Sequence, residues 1–197
     1  MTDDTRDGLD PVAVALAHDL DSGFVEVVRV HENLLYSVAR SFVRDPADAE
    51  DLAADALLRA YRGLCGYSAD RITTLAVRPW LLTILRNTAR NRARDAARRP
   101  PPPSRLEPVE NPSTEPGPAE RVERAELQHE LGAALAELSE VQRTAVVLRH
   151  VQGLPNSEVA LVLNCKEGTA KSHISRGLAR LRTVLADTAP PLGGRAR

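Results

Sequence analysis

The chain has two cysteines in 197 residues, Cys65 and Cys165, far apart in sequence. That excludes a disulfide scaffold and any zinc site built from clustered thiolates. Cys65 at a helix end and Cys165 at an apolar turn position both read as buried thiols. Aromatic residues are equally scarce: Phe24, Tyr36, Phe42, Tyr61, Tyr67 and Trp80 make up 3% of the chain, and most fall at helical core positions. A general single-strand binder stacks bases on several exposed rings, so that function is disfavoured. No run approaches the ~20 apolar residues of a membrane-spanning helix. The acidic start MTDDTRDGLD also lacks the basic region of a secretion signal, so a cytoplasmic protein without membrane insertion is expected. Net charge is nearly absent too, −1 from 26 basic and 27 acidic residues, which speaks against a uniformly basic nucleic-acid coat. The five histidines are scattered, no glycine-rich phosphate loop is present, and no motif places a Ser/His/Asp or Cys/His set. No enzyme activity, cofactor, metal or small-molecule substrate is expected.

What the averages conceal is a charge pattern. Residues 45–55 carry Asp45, Asp48, Glu50, Asp51 and Asp55 and no cation, whereas residues 86–105 hold seven arginines against one aspartate. Residues 107–140 swing back to nine glutamates against two arginines, and from Arg143 to Arg182 seven cations face Glu158 and Glu167. Alternation of this kind suggests two nucleic-acid-facing surfaces, each accompanied by an acidic one.

The clearest boundary is the stretch from Arg99 to Pro118, with the run Pro100 to Pro103 followed by Pro108, Pro112, Pro116 and Pro118. Prolines lack the backbone donor and keep the preceding residue out of the helical region, so this segment is a polyproline-like linker. Two small domains flank it, each with a modest core of its own. The expected divisions are an acidic N-terminal arm over 1–23, a domain over 24–98, the linker over 99–119, a domain over 120–186 and a short tail over 187–197.

Apolar residues on both sides follow a helical period. Leu34, Val38 and Phe42 predict a helix from about Gly23 to Arg44. Asp45-Pro46 is a cap and first-turn pair for a second, running to about Leu64, whose early carboxylates suit the positive end of the helix dipole. A third spans Arg78 to Arg98, with Trp80, Leu81, Ile84 and Leu85 inward and Arg86, Arg90, Arg92, Arg94 and Arg98 mostly outward. Beyond the linker, one helix runs through Val122 to Leu138 and another from a Ser139 cap to His150. A short one starts at Ser157, and Asn164 takes a left-handed turn before a long basic helix from about Glu167 to Ala186. No strand pattern occurs, so the fold class is all-α.

The short helix, the tight turn and the basic helix, with Val159, Ala160 and Leu163 packing on Ala170, Ile174 and Leu178, form a helix-turn-helix. Such a motif places its second helix in the major groove, with polar side chains on the early outward face and cations toward phosphates. That face carries Lys166, Thr169, Lys171, Ser172, His173, Ser175, Arg176 and Arg180. A conventional helix-turn-helix regulator acting without a polymerase fits this motif taken alone.

The segment Leu135 to Leu185, above all Glu158-Val159-Ala160 through Gly168-Thr169-Ala170-Lys171-Ser172, resembles region 4 of the extracytoplasmic-function (ECF) sigma factors. Asp45-Pro46-Ala47-Asp48-Ala49-Glu50-Asp51-Leu52, then Leu58-Arg59-Ala60-Tyr61, Trp80-Leu81 and Arg86-Asn87, resembles region 2 in order and spacing. The resemblance implies a dissociable subunit of core RNA polymerase that recognises promoter DNA, region 2 taking the opened −10 element and region 4 the −35 duplex. An anti-sigma factor is an implied further partner, and the linker is implied to thread the polymerase cleft. The charge map agrees. Asp48, Glu50, Asp51 and Asp55 suit docking on the polymerase, and Asn87, Arg90, Asn91, Arg92 and Arg94 suit a separated strand, through amides for base edges and guanidinium groups for phosphates. With so few aromatics, strand capture is expected to rest on a pocket for one flipped base at Gly66 to Thr74. Trp80 reads as core.

Overall fold

A computed structural model describes residues 10–98 and 130–188. The start of the arm, the linker, the first part of the helix expected from Val122 and the tail from residue 189 lie outside the described residues. Every regular element among the described residues is helical: α1 Pro11–His18, α2 Leu20–Ala39, α3 Pro46–Leu64, α4 Ala69–Thr73, α5 Val77–Arg98, α6 over 130–136, α7 Glu140–Val146, α8 Asn156–Leu163 and α9 Glu167–Thr188. The backbone of α7 continues as a π-helical turn, Val147–Val151, where a single α-helix to His150 is the expectation.

The starts of these helices are written in short polar side chains that accept the otherwise unpaired amides of a first turn. Asp45 accepts from the Ala47 amide at 2.8 Å ahead of Pro46. Asp10 does the same for Val12 at 3.0 Å ahead of Pro11, and Ser139 does so for Gln142 at 3.4 Å. By contrast α8 begins one residue before the expected Ser157, after Pro155 and without a side-chain cap.

Residues 11–18 fall within the stretch that charge alone marks as an arm, yet they form α1, which packs on α2 and α4. Its residues are apolar almost throughout, with Ala13 and Leu16 buried and Val12 and Ala17 packed beside the core. The crossing is close because Gly23 has no side chain: a Cβ there would lie 2.6 Å from the Leu16 Cα.

The first unit is α1 to α5, with α3 packed between α2 and α5. Buried Val27, Leu35 and Val38 of α2 and Leu81, Leu82 and Leu85 of α5 close over an alanine-rich face of α3, Ala49, Ala53, Ala56 and Ala60. The second unit is α6 to α9. There α9 crosses α7 at Gly177, where a Cβ would come within 2.7 Å of Val146 Cγ2 and 3.2 Å of the Gln142 carbonyl oxygen.

The two units do not keep separate cores. Helix α5 packs against α8, and the buried residues form one continuous cluster. Polar contacts cross the seam: Arg78 to Glu158, Arg86 to Glu140, Gln152 Nε2 to Ser37 Oγ at 2.7 Å, and Arg143 Nη1 to the Ser41 carbonyl at 3.4 Å. Arg143 also donates to the carbonyls of Leu135, Ala136 and Leu138, closing the end of α6. Burial pulls this guanidinium below its ordinary pKa, while neighbouring Glu140 raises it.

Two expectations are corrected here. Arg86, read as outward, is buried, because the second unit covers that face of α5. Cys65, read as buried, is exposed, and Cys165 is partly exposed; the inward position at the end of α3 is taken by Leu64.

Candidate nucleic-acid interface

The helix-turn-helix is held by its turn. Asn164 adopts φ 52° and ψ 52°, the left-handed conformation that Asn tolerates better than most residues. Its amide donates to the Leu161 carbonyl at 3.1 Å and that of Cys165 to Ala160 at 3.0 Å, ending α8. The Lys166 carbonyl then accepts from Thr169 and Ala170 at 2.9 and 3.0 Å, starting α9. Ala170 and Ile174 are buried against the rest of the unit, and Leu178 packs beside them.

With that face fixed, the opposite one is set. Thr169, Lys171, Ser172, Ser175, Arg176 and Arg180 are exposed on α9, as is Lys166 just before it, and His173 is half-buried. Several are pre-oriented by their own helix: Lys171 pairs with Glu167 at 2.9 Å, Ser172 donates to the Gly168 carbonyl at 2.9 Å, and Arg176 Nε donates to the Ser172 carbonyl at 3.2 Å. Arg180 lies 3.8 Å from Glu137.

The structure adds residues that helical periodicity did not single out. A cleft of about 380 Å³ between the π-helical turn and α9 is lined by Arg149, His150, Asn156, Lys171, Ser175 and Arg182. The wide turn swings Arg149 and His150 beside the recognition helix, and Arg149 Nη1 is steadied on the Leu154 carbonyl at 2.9 Å. Only the basic residues next to Gly153 in the sequence hinted at this edge.

On the first unit, α5 carries the second set. Asn87, Arg90 and Arg94 are exposed. Asn91 is half-buried, and its Oδ1 accepts from Arg94 Nη2. Arg92 instead turns inward to Asp55 of α3. The predicted base-pocket segment Gly66 to Thr74 contains α4, capped by Ser68. Within it the Arg71 guanidinium lies 3.5 Å over the centre of the Tyr67 ring. The Tyr67 ring is 6.0 Å from that of Trp80, tilted at 55°, and Trp80 is half-buried, packed against the core.

The acidic set divides. Asp48, Glu50 and Asp51 are exposed on α3, whereas Asp55 is half-buried in its pair with Arg92. Leu58, one turn further on, is 56% exposed. An exposed leucine beside carboxylates suits protein docking, but the apolar period assigned it to no face. No group of His, Cys, Asp or Glu able to hold a metal ion occurs among the described residues. No described helix is long and apolar enough to cross a membrane.

Comparison with known proteins matches one family to each of two stretches of the chain. The sigma-70 region 2 family matches residues 27–99 and the sigma-70 region 4 family matches residues 128–181. The RNA polymerase sigma-E factor of Streptomyces avermitilis is 35% identical over 86% of this chain and 89% of its own length. The ECF RNA polymerase sigma factor SigM of Mycobacterium tuberculosis is 35% identical over 82% of this chain and 76% of its own. Among solved structures, the sigma factor RpoE of Bartonella quintana, crystallised with the anti-sigma factor NepR, covers 83% of this chain and 96% of its own at 27% identity and a TM-score of 0.58. The chain belongs to the ECF group of sigma-70 family sigma factors, which bind core RNA polymerase and direct promoter-specific initiation of transcription.

Proposed function

We propose that within this sigma factor the exposed face of α9 reads the −35 duplex, with Lys166, Thr169, Lys171, Ser172, His173, Ser175, Arg176 and Arg180 toward base edges and phosphates. The carrying observation is that seven of these eight side chains are exposed on one face of a helix whose other face is seated by Ala170, Ile174 and Gly177. Arg149 and His150 extend the cationic edge toward the flanking phosphates. Helix α5 takes the −10 strand through Asn87, Arg90, Asn91 and Arg94. Arg71 over Tyr67 offers a cation and a ring edge for a single flipped base. Asp48, Glu50, Asp51 and Leu58 dock on the polymerase, and Arg92 with Asp55 braces α5 on α3 beneath both surfaces.

In this reading the −10 unit is region 24–98, joined through the linker 99–119 to the −35 unit over 120–186. Two weak readers on one tether bind as one when promoter spacing suits both. The protein acts in the cytoplasm, without chemistry of its own. An anti-sigma factor is its expected regulator, since RpoE of Bartonella quintana is held by one.

The test is reconstitution of the full chain with core RNA polymerase on candidate promoters. Initiation should require both the polymerase and a −35 element, and Ser172→Ala combined with Arg176→Ala should abolish it. Binding of the isolated chain to duplex DNA as a symmetric dimer, with no effect on polymerase, would overturn the reading.

A further inference from the structure

Helix α4 has only five residues, Ala69–Thr73, and lies inside the segment Gly66 to Thr74. A helix of barely more than one turn does not hold itself. Its side-chain hydrogen bonds are local. The Arg71 amide donates to Ser68 Oγ at 3.4 Å, Thr73 Oγ1 donates to the Ala69 carbonyl at 2.9 Å, and Thr74 Oγ1 donates to those of Asp70 and Arg71 at 3.3 and 3.2 Å. Bonds of this kind fix the shape of α4 and leave its place to packing. Ile72 is its buried side chain, and its principal helix partner among the described residues is α1.

Helix α1 is in turn set by a tight corner. Asp19 alone separates it from α2. The Asp19 amide closes α1 on the Ala15 carbonyl at 3.1 Å, and its carboxylate accepts from the Asp21 amide at 3.2 Å and from Ser22 Oγ at 2.5 Å. Gly23 lets the Leu16 backbone lie directly on α2. Asp21 then accepts from Tyr61 Oη at 2.5 Å, and the Tyr61 ring meets that of Phe24 edge-on, 5.2 Å between centres. Tyr61 stands in the last turn of α3, from which the chain leaves for Tyr67. The corner between α1 and α2 thus holds the segment Gly66 to Thr74 twice, at its start through α3 and at its helix through α1.

We propose that α1 is a positioning element for −10 recognition, seating α4 so that Tyr67 and Arg71 meet a flipped base. Arg71 directly precedes the anchor Ile72, so a slip of Ile72 from its seat carries the guanidinium off the Tyr67 ring, which it overlies at 3.5 Å. The family match to region 2 begins at residue 27, so this role falls on a helix ahead of the matched stretch. The proposal rests on the reading that Tyr67 and Arg71 receive a base of the −10 strand.

The test uses the full chain assembled with core RNA polymerase, on a promoter that this holoenzyme opens, with the non-template strand made abasic at one −10 position at a time. In the parent, removing the base at one position should weaken binding about tenfold, the scale of one stacked base, and Tyr67→Ala should abolish that difference. Gly23→Ala acts on α1 from outside the segment, because the new methyl group meets the Leu16 backbone while alanine itself favours the helical state of α2. It should reduce the abasic effect to about twofold, as when most molecules no longer have the pocket assembled, and leave −35 duplex binding unchanged. Leu16→Ala should do the same, and Leu16→Met should restore the parent's behaviour. A parent insensitive at every position, or full sensitivity in Tyr67→Ala, overturns the base reading and the proposal with it. Sensitivity kept in Gly23→Ala and Leu16→Ala but lost in Tyr67→Ala overturns the role of α1 alone. A loss that falls equally on −35 duplex binding makes α1 a general prop of the fold and likewise overturns its role in recognition.

Discussion

Arg92 of α5 and Asp55 of α3 hold one another. Arg92 donates to Asp55 Oδ2 from Nη2 at 2.8 Å and from Nε at 3.2 Å, and its Nη2 also donates to the Asp51 carbonyl at 3.0 Å. By charge pattern one residue belongs to a DNA surface and the other to a polymerase surface, yet each is the other's partner. An arginine tied to both a carboxylate and a backbone carbonyl is a strut between helices.

Arg92→Ala and Asp55→Asn should therefore each destabilise the chain by about 1 kcal/mol or less, the range for a pair that is still 40% and 39% exposed. The double change should cost little more than either alone, and a double-mutant cycle in urea unfolding measures the coupling. Arg90→Ala should leave the unfolding midpoint nearly unchanged. Additive losses at Arg92 and Asp55 would show that the pair is not the strut.

Gly177 is the corresponding constraint on the second unit. A methyl group there meets Val146 Cγ2 at 2.7 Å and the backbone carbonyl of Gln142 at 3.2 Å. The valine can turn but the carbonyl cannot, so α9 must move. Gly177→Ala should destabilise the chain by about 1 to 3 kcal/mol, as overpacking does, and weaken −35 binding without altering any charge. An unfolding midpoint and a duplex affinity equal to the parent's would refute the close crossing.

Lys166 stands at the N-terminal edge of the recognition helix, where a cation opposes the helix dipole. It is exposed, and its backbone carbonyl already serves as the start of α9, so its side chain is not needed for the turn. A phosphate contact accounts for a lysine there. Lys166→Ser should stabilise the helix start slightly while weakening −35 duplex binding, and should reduce the slope of log affinity against log salt by about 1. Fluorescence anisotropy across a salt series measures both quantities. An unchanged slope would assign Lys166 no phosphate.

The local elements were legible because their signals are local. Asp45-Pro46 and Ser139 mark helix starts, Asn164 marks the left-handed turn, and the spacing of Ala170, Ile174 and Leu178 marks the buried side of α9. Surface assignment was legible for α9 because, among the described residues, no element packs on its outer face. It was less legible for α5, where Arg86 and Arg92 have the period of an exposed stripe but are covered by Glu140 and Asp55 from other elements. Long-range partners of that kind leave no trace in periodicity. The π-helical turn was equally hidden: Val147 to Val151 reads as ordinary helix, and only the backbone bonds from Gln152 to Val147 and from Leu154 to Leu148 reveal that the register has widened and turned Arg149 toward the recognition helix.

His31 supplies a pH dependence whose sign is fixed by its surroundings. It is buried on α2, and its Nε2 has no hydrogen-bond partner among the described residues. Burial holds its pKa below the usual 6.5; the Asp10 carboxylate raises it, and the Arg78 guanidinium lowers it further. In the folded chain His31 is therefore neutral at neutral pH, whereas in the unfolded chain it takes up a proton near its ordinary value of about 6.5. The unfolded state binds the extra proton below that pH, so the stability due to a neutral His31 is present above it and is lost as pH falls toward the lower, folded value. Melting temperature followed from about pH 7.5 down to about 5 should fall for the parent protein. His31→Leu, which keeps an apolar side chain in the site and removes the proton, should flatten that part of the curve. An equally steep decline in His31→Leu would place the acid sensitivity elsewhere.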